Sequence, residues 1–131
     1  MVSFNTTSLA LAHEIGRTGE RIAREYLQAQ GYTLMAQNWR KGRAEIDIIA
    51  KEGEVLVFVE VKTRSTEDFG RPETFISPRQ AELLAAGAAA YMEEIHYEWE
   101  IRFDVISIIM DEDGSHRLEH LKDSFFPGMD D

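Results

Sequence analysis

Cysteine is absent from this chain, which excludes a disulfide framework and any thiolate zinc site and fits a reducing compartment such as the cytoplasm. No apolar run approaches the roughly 20 residues of a membrane-spanning helix. Residues 1–12 have neither the basic start nor the cleavage pattern of a secretory signal. A cytoplasmic protein with no membrane partner is therefore expected. Internal repeats, heptads and low-complexity linkers are missing as well. At 131 residues the chain is expected to form one domain, with its core over about 13–126 and a frayed tail at 127–131.

Basic charge is also scarce. The chain carries 14 Lys and Arg against 24 Asp and Glu, a net charge of −10, and binding a polyanion normally relies on the opposite balance. The deficit is uneven. Residues 1–92 hold 11 basic and 12 acidic side chains, whereas residues 93–131 hold 3 and 12. Arg17, Arg21, Arg24, Arg40, Lys41 and Arg43 are interspersed with only Glu20 and Glu25, so a local cationic surface remains available in the first part.

What the chain does contain is an unusual pair of strand-like runs. Glu45-Ile46-Asp47-Ile48-Ile49-Ala50 is followed by the turn signal Lys51-Glu52-Gly53-Glu54 and then by Val57-Phe58-Val59-Glu60-Val61-Lys62. Alternation puts Val55, Val57, Val59 and Val61 on one face of the second run and Leu56, Phe58, Glu60 and Lys62 on the other. Ile46 and Ile48 are expected to share the valine face, which sends Asp47 to the face of Glu60 and Lys62. A slip of one residue would expose both isoleucines, at roughly 1.5–3 kcal/mol for each large apolar side chain. Two carboxylates converging at a sheet end suit a hard divalent cation such as Mg²⁺ or Mn²⁺. A neighbouring ammonium can orient a water and offset charge developing on a phosphate. The same residues also fit a plain ion pair on a solvated sheet face.

The Asp47, hairpin and Glu60-Val61-Lys62 pattern resembles the PD-(D/E)XK nuclease motif of the restriction-endonuclease-like fold. Gly16-Arg17-Thr18-Gly19-Glu20, Gly31-Tyr32, Asn38-Trp39-Arg40, Phe69-Gly70 and Arg102-Phe103-Asp104-Val105 extend the likeness to the YraN-like UPF0102 family, over roughly residues 13–126. That group in turn resembles archaeal Holliday-junction resolvases. The resemblance implies an α/β fold, a restriction-endonuclease-like mixed β-sheet core flanked by helices. It further implies a Mg²⁺- or Mn²⁺-dependent endonuclease acting on DNA, branched recombination intermediates included, with a homodimer as one assembly. Asp47 and Glu60 would ligate metal, Glu20 would support the metal or its water, and Lys62 would be the catalytic ammonium. The family usually has Gly immediately before Glu-Ile-Asp, where this chain has Ala44. A non-catalytic DNA-processing module and a plain interaction domain remain alternatives on the same fold.

The remaining elements follow from periodicity. Residues 8–30 read as a helix with Ile15, Gly19, Ile22, Ala23, Tyr26 and Leu27 on one face, stopped at Gly31. By spacing alone Glu20 flanks that stripe and also fits an exposed partner of Arg17 or Arg24. Residues 32–39 read as a first strand with Trp39 in the core or an interface, and residues 63–76 as a long loop. Ser77-Pro78-Arg79-Gln80 has an N-cap, a first-turn proline and a capping-box glutamine, opening a helix to about Ile95. Its Ala-rich segment 85–90 suits close packing on the sheet. Residues 99–110 read as a strand, with Trp99, Ile101, Phe103 and Val105 on one face and an Arg102–Asp104 ion pair on the other. Asp111 to Gly114 reads as a tight turn, residues 117–121 as a last strand, and His116 and His120 as an unremarkable pair. Phe125 and Phe126 are expected to dock on the body. Arg17, Arg40, Lys41, Arg43, Arg64 and Arg79 are the candidate phosphate contacts, though several also sit where they would balance local acids.

Overall fold

The computed structural model describes residues 4–65 and 76–124, with the side chains of 4–10 and 12 excepted. The order is α1 (Phe4–Ala29), β1 (Thr33–Lys41), β2 (Ala44–Glu52), β3 (Val55–Ser65), α2 (Pro78–Glu94), β4 (Ile101–Met110) and β5 (His116–Leu121). The strands form one sheet in the order β1-β2-β3-β4-β5, antiparallel except for the parallel β3–β4 pair. That parallel pair requires a crossover, which α2 supplies. The expected α/β architecture, a mixed sheet flanked by helices, is present. No described helix is long and apolar enough to cross a membrane.

Each face of the sheet buries its own apolar layer. Ala23 and Leu27 of α1 pack with Tyr32, Ile48, Ala50, Val57, Val59, Ile106 and Ile108. Leu84, Ala88 and Tyr91 of α2 pack with Ile46, Ile49, Leu56, Phe58 and Phe103. The helix limits follow their local chemistry. Gly31, with φ +94°, adopts the left-handed conformation that ends α1, and Ser77 Oγ accepts the Gln80 amide at 3.1 Å to start α2. Gly87 lets α2 approach closely: a Cβ there would stand 3.0 Å from the Ala44 Cβ and 3.2 Å from Ile46 Cδ1. Ala44 is buried and lies outside the positive-φ region, so alanine fits there without backbone strain. Trp39 meets Tyr91 edge-on at 5.4 Å, within the core periphery.

The alternation expected for β2 fails at one place. Ile46 lies on the α2 face and Ile48 on the α1 face, although residues two apart in a regular strand share a face. The paired register of β2 with β3 stops at Ile48–Val59, and opposite Asp47 on β1 the backbone of Asn38 is left-handed, with φ 48°. Both strands bend there, and the bend carries Ile46 to the other side. β1 has a second irregularity between Leu34 and Ala36.

Other expectations are corrected as well. Trp99 lies outside β4 and is 69 % exposed rather than buried along a strand face. Residues 63–65, expected in a loop, continue β3 beside Ile108 to Met110. Phe125, Phe126 and most of the expected 63–76 loop fall outside the described residues.

His120 is not incidental. Its Nε2 lies 2.8 Å from Asp104 Oδ2 and its Nδ1 2.9 Å from the Tyr26 hydroxyl. Asp104 has no exposed surface, accepts two bonds from Arg102 at 2.9 Å, and accepts the Asp123 amide at 2.9 Å. Arg102 extends the network to Glu52 and the Tyr32 hydroxyl. Burial alone would raise the Asp104 pKa, but the bonds from His120, Arg102 and the Asp123 amide hold it below the ordinary carboxylate range.

Asp104→Ala should therefore cost about 3–5 kcal/mol in urea unfolding, because it removes the buried acceptor shared by Arg102, His120 and the Asp123 amide. Asn38→Val should cost about 1–2 kcal/mol through its left-handed backbone while Asn38→Gly stays near wild type, measured the same way.

Candidate functional site

The site is built where β2 and β3 part. Beyond Val59 the pairing with β2 ends, and the Val61 amide donates instead to Asp47 Oδ2 at 2.8 Å. This turns the Asp47 side chain towards β3 beside Glu60. Asp47 therefore joins Glu60 and Lys62 as expected, but through a broken ladder rather than regular alternation. From the α2 side, Gln80 Nε2 donates to Glu60 Oε2 at 2.7 Å and Lys62 Nζ donates to Gln80 Oε1 at 3.3 Å. Lys62 Nζ lies 3.9 Å from Glu60 Oε2. The acids open into a cleft of about 220 Å³ lined by Arg43, Glu45, Asp47, Glu60, Gln80 and the apolar pair Leu83 and Leu84. Two larger cavities lie elsewhere, at the Lys51 to Glu100 end of the sheet and between α1 and β5, and neither holds the converging acids.

Electrostatics marks the same pair. Asp47 is pushed up to about 6, first by burial and then by the charges of Glu20 and Glu45, against the Val61 amide and Lys62. Glu60 is pushed up to about 8, first by burial and then by the charge of Asp47, despite Lys62 and Gln80. The charge of Asp47 helps keep a proton on Glu60, so the two carboxyls titrate as a coupled pair. One ammonium at 3.9 Å does not compensate two carboxylates in a cleft that Leu83 and Leu84 line in part.

Glu20 approaches from the opposite face. A Cβ on Gly19 would fall 2.8 and 2.9 Å from Thr63 Cγ2 and Cβ, so only glycine lets α1 lie this close to β3. The charge of Glu20 thereby reaches Asp47. Among the described residues, however, no three His, Asp or Glu side chains converge as a ready-made metal cage. Glu20 flanks the acid pair without joining it.

The candidate basic residues divide. Arg43 lines the cleft, and Arg79 is exposed in the first turn of α2 beside Gln80. Arg17 is exposed one turn before Glu20, and Lys41 is exposed beside the Gly42 turn. Arg40 is spent partly on Glu45, at 3.3 Å. Arg64 is half-buried on β3 two residues beyond Lys62. Gln80 was expected to cap its own helix, and its backbone does so, but its side chain turns to Glu60 and Lys62. No local pattern announces that turn, since both partners lie far away in sequence.

Two carboxylate oxygens and room for water suit a hard cation, which often takes only one or two protein carboxylates. The retained proton sits where positive charge is lacking. The donor set of Asp47 and Glu60 is that of a hard divalent cation rather than a soft one.

The sequence model of the Uncharacterised protein family UPF0102 matches residues 19–108. The chain belongs to that family. A UPF0102 protein of Christiangramia forsetii is 43 % identical over 118 residues, covering 90 % of this chain and 98 % of the relative. One from Bacteroides thetaiotaomicron is 40 % identical over 121 residues, covering 92 % and 99 %. Among solved structures, Pyrococcus furiosus SfsA in complex with Ca²⁺ aligns with 85 % of this chain at TM-score 0.38 and 14 % identity, and this chain spans 63 % of its length. The UPF0102 match includes Glu20, Asp47, Glu60, Lys62 and Gln80.

The raised acids give stability a definite pH slope. The unfolded chain ionises both carboxyls in the ordinary range, whereas the folded chain keeps protons to about 6 and about 8. Metal-free protein should thus lose stability as pH rises through that window, because the native state binds more protons there. Thermal melts from pH 5 to 9 should show the decline, and Asp47→Asn or Glu60→Gln should flatten it. Asp104 and Glu52, both lowered, act below this window and do not mask it.

Proposed function

We propose that this UPF0102 protein is a metal-dependent phosphodiesterase that hydrolyses DNA. The observation that carries the reading is the undercompensated pair Asp47 and Glu60 beside Lys62, in a cleft edged by Arg43. Asp47 and Glu60 would hold Mg²⁺ or Mn²⁺, which supplies Lewis-acid polarisation of the phosphate and a lowered pKa for water. Lys62 Nζ positions the attacking water and offsets charge on the phosphoryl oxygens. The water oxygen bonds to phosphorus as one P–O ester bond breaks, and the departing oxygen takes up a proton. Gln80 holds the Glu60 carboxylate and the Lys62 ammonium in register through its two hydrogen bonds. Glu20 adds negative field from α1, and Arg17, Arg40, Lys41, Arg43, Arg64 and Arg79 are the residues offered to the phosphate backbone.

A second reading, a non-catalytic DNA-binding or DNA-processing module, is favoured by two observations. No three acids among the described residues are arranged as a metal cage, and the net charge of −10 weakens polyanion binding. The readings separate in a cleavage assay on labelled single-stranded, duplex, flap and four-way-junction DNA with Mn²⁺, Mg²⁺ or chelator. The nuclease reading expects metal-dependent cutting that falls on the order of 10²–10³-fold in Asp47→Ala and in Lys62→Ala. Folded protein that binds DNA yet cuts no better than these variants would replace it with the accessory-module reading.

A further inference from the structure

At the far end of β2 and β3 from the acid pair lies a second cavity, of about 430 Å³, lined by Lys51, Glu54, Tyr97, Trp99 and Glu100. We propose that it docks a basic segment of another protein, which lays an arginine or lysine side chain on the face of Trp99. This inference is independent of the reading of the acidic cleft.

Three features favour that occupant. Trp99 is 69 % exposed, an unusual state for so large an aromatic side chain, and is the most exposed large apolar residue described. Its ring is nevertheless held, edge-on to Tyr97 at 5.3 Å and 70°. Tyr97 is anchored in turn, its single hydroxyl proton shared between the carbonyls of Glu54 and Glu100 at 2.7 and 2.6 Å. The aromatic platform is therefore built before any partner arrives, which lowers the ordering cost of binding.

The chain's own Lys51 Nζ stands 5.4 Å from the centroid of Tyr97, which leaves Trp99 as the ring open to an incoming cation. Around Trp99 the chemistry calls for more positive charge. Glu54, Glu98 and Glu100 are exposed beside it. Glu93 and Glu94 occupy the last turn of α2, which carries no basic residue. The negative end of that helix dipole prefers cations, so the fold leaves acids where they repel the helix end. A guanidinium or ammonium seated on Trp99 would meet the charges of Glu54 and Glu100, which line the same cavity. An acidic or uncharged apolar segment would not.

The test is titration of the full chain with a hexa-arginine peptide at about 0.15 M salt, where diffuse surface attraction is screened. The Trp99 indole N–H is followed by NMR, with Trp39 as the internal reference. Saturable binding that shifts Trp99 but not Trp39 is expected. Trp99→Ala should weaken it about tenfold, the size of a desolvated cation–aromatic contact, and Glu100→Gln should weaken it less. Glu60→Gln should leave the affinity unchanged. Equal affinity in wild type and Trp99→Ala would overturn the proposal, as would shifts centred on Asp111 to Asp113 or no binding at this salt. Self-association abolished by Trp99→Ala would overturn it in favour of a second copy of this chain.

Discussion

The candidate site depends on one hydrogen bond, from the Val61 amide to the Asp47 carboxylate at 2.8 Å. An antiparallel ladder that ends inside a sheet leaves backbone donors to be satisfied, and a buried orphan costs about 1–3 kcal/mol. Asp47 satisfies that donor with its side chain. The strands can then part without penalty, and the gap becomes the cleft. Around this bond the rest adjusts: Asn38 turns left-handed opposite Asp47, and Ile46 crosses to the α2 face, where Gly87 leaves room.

The same sheet treats its fully buried acid and its half-buried acid pair in opposite ways. Asp104, which pairs with Val59 across β3–β4, is surrounded by Arg102, His120 and the Asp123 amide, and its charge is fully met. Glu60, the residue after Val59, faces a second carboxylate with one ammonium at 3.9 Å and one amide side chain. The first arrangement holds a carboxyl low and ties β4 and β5 to α1. The second holds two carboxyls high. A fold able to neutralise a buried acid completely in one place leaves a deficit of positive charge in the other, and such deficits characterise sites that take up a proton or a cation.

Much of this was legible along the chain because it rests on local rules. The 3.6-residue stripe from Ile15 to Leu27, the stop at Gly31 and the Ser77-Pro78 start depend only on neighbours a few residues away, and the helices follow them. The Glu60-Val61-Lys62 strand and the turn at Gly114 are local in the same sense. Trp99 misled because an aromatic in step with Ile101 and Phe103 fits a strand, while the anchoring of Tyr97 to Glu54 and Glu100 pins the chain short of one. His120 was missed because its partners, Tyr26 and Asp104, are 94 and 16 residues distant.

By itself, then, the sequence determined the helices, most of the strand residues, the family and the placing of Asp47, Glu60 and Lys62 on two adjacent strands, since each rests on residue type and short-range spacing. Tertiary structure alone decided how they meet. The end of the β2–β3 ladder, the close pass of Gly19 over Thr63 and the reach of Gln80 from α2 join residues far apart in the chain. Their geometry follows from where two strands separate and how near two helices can lie, and no local periodicity carries that information.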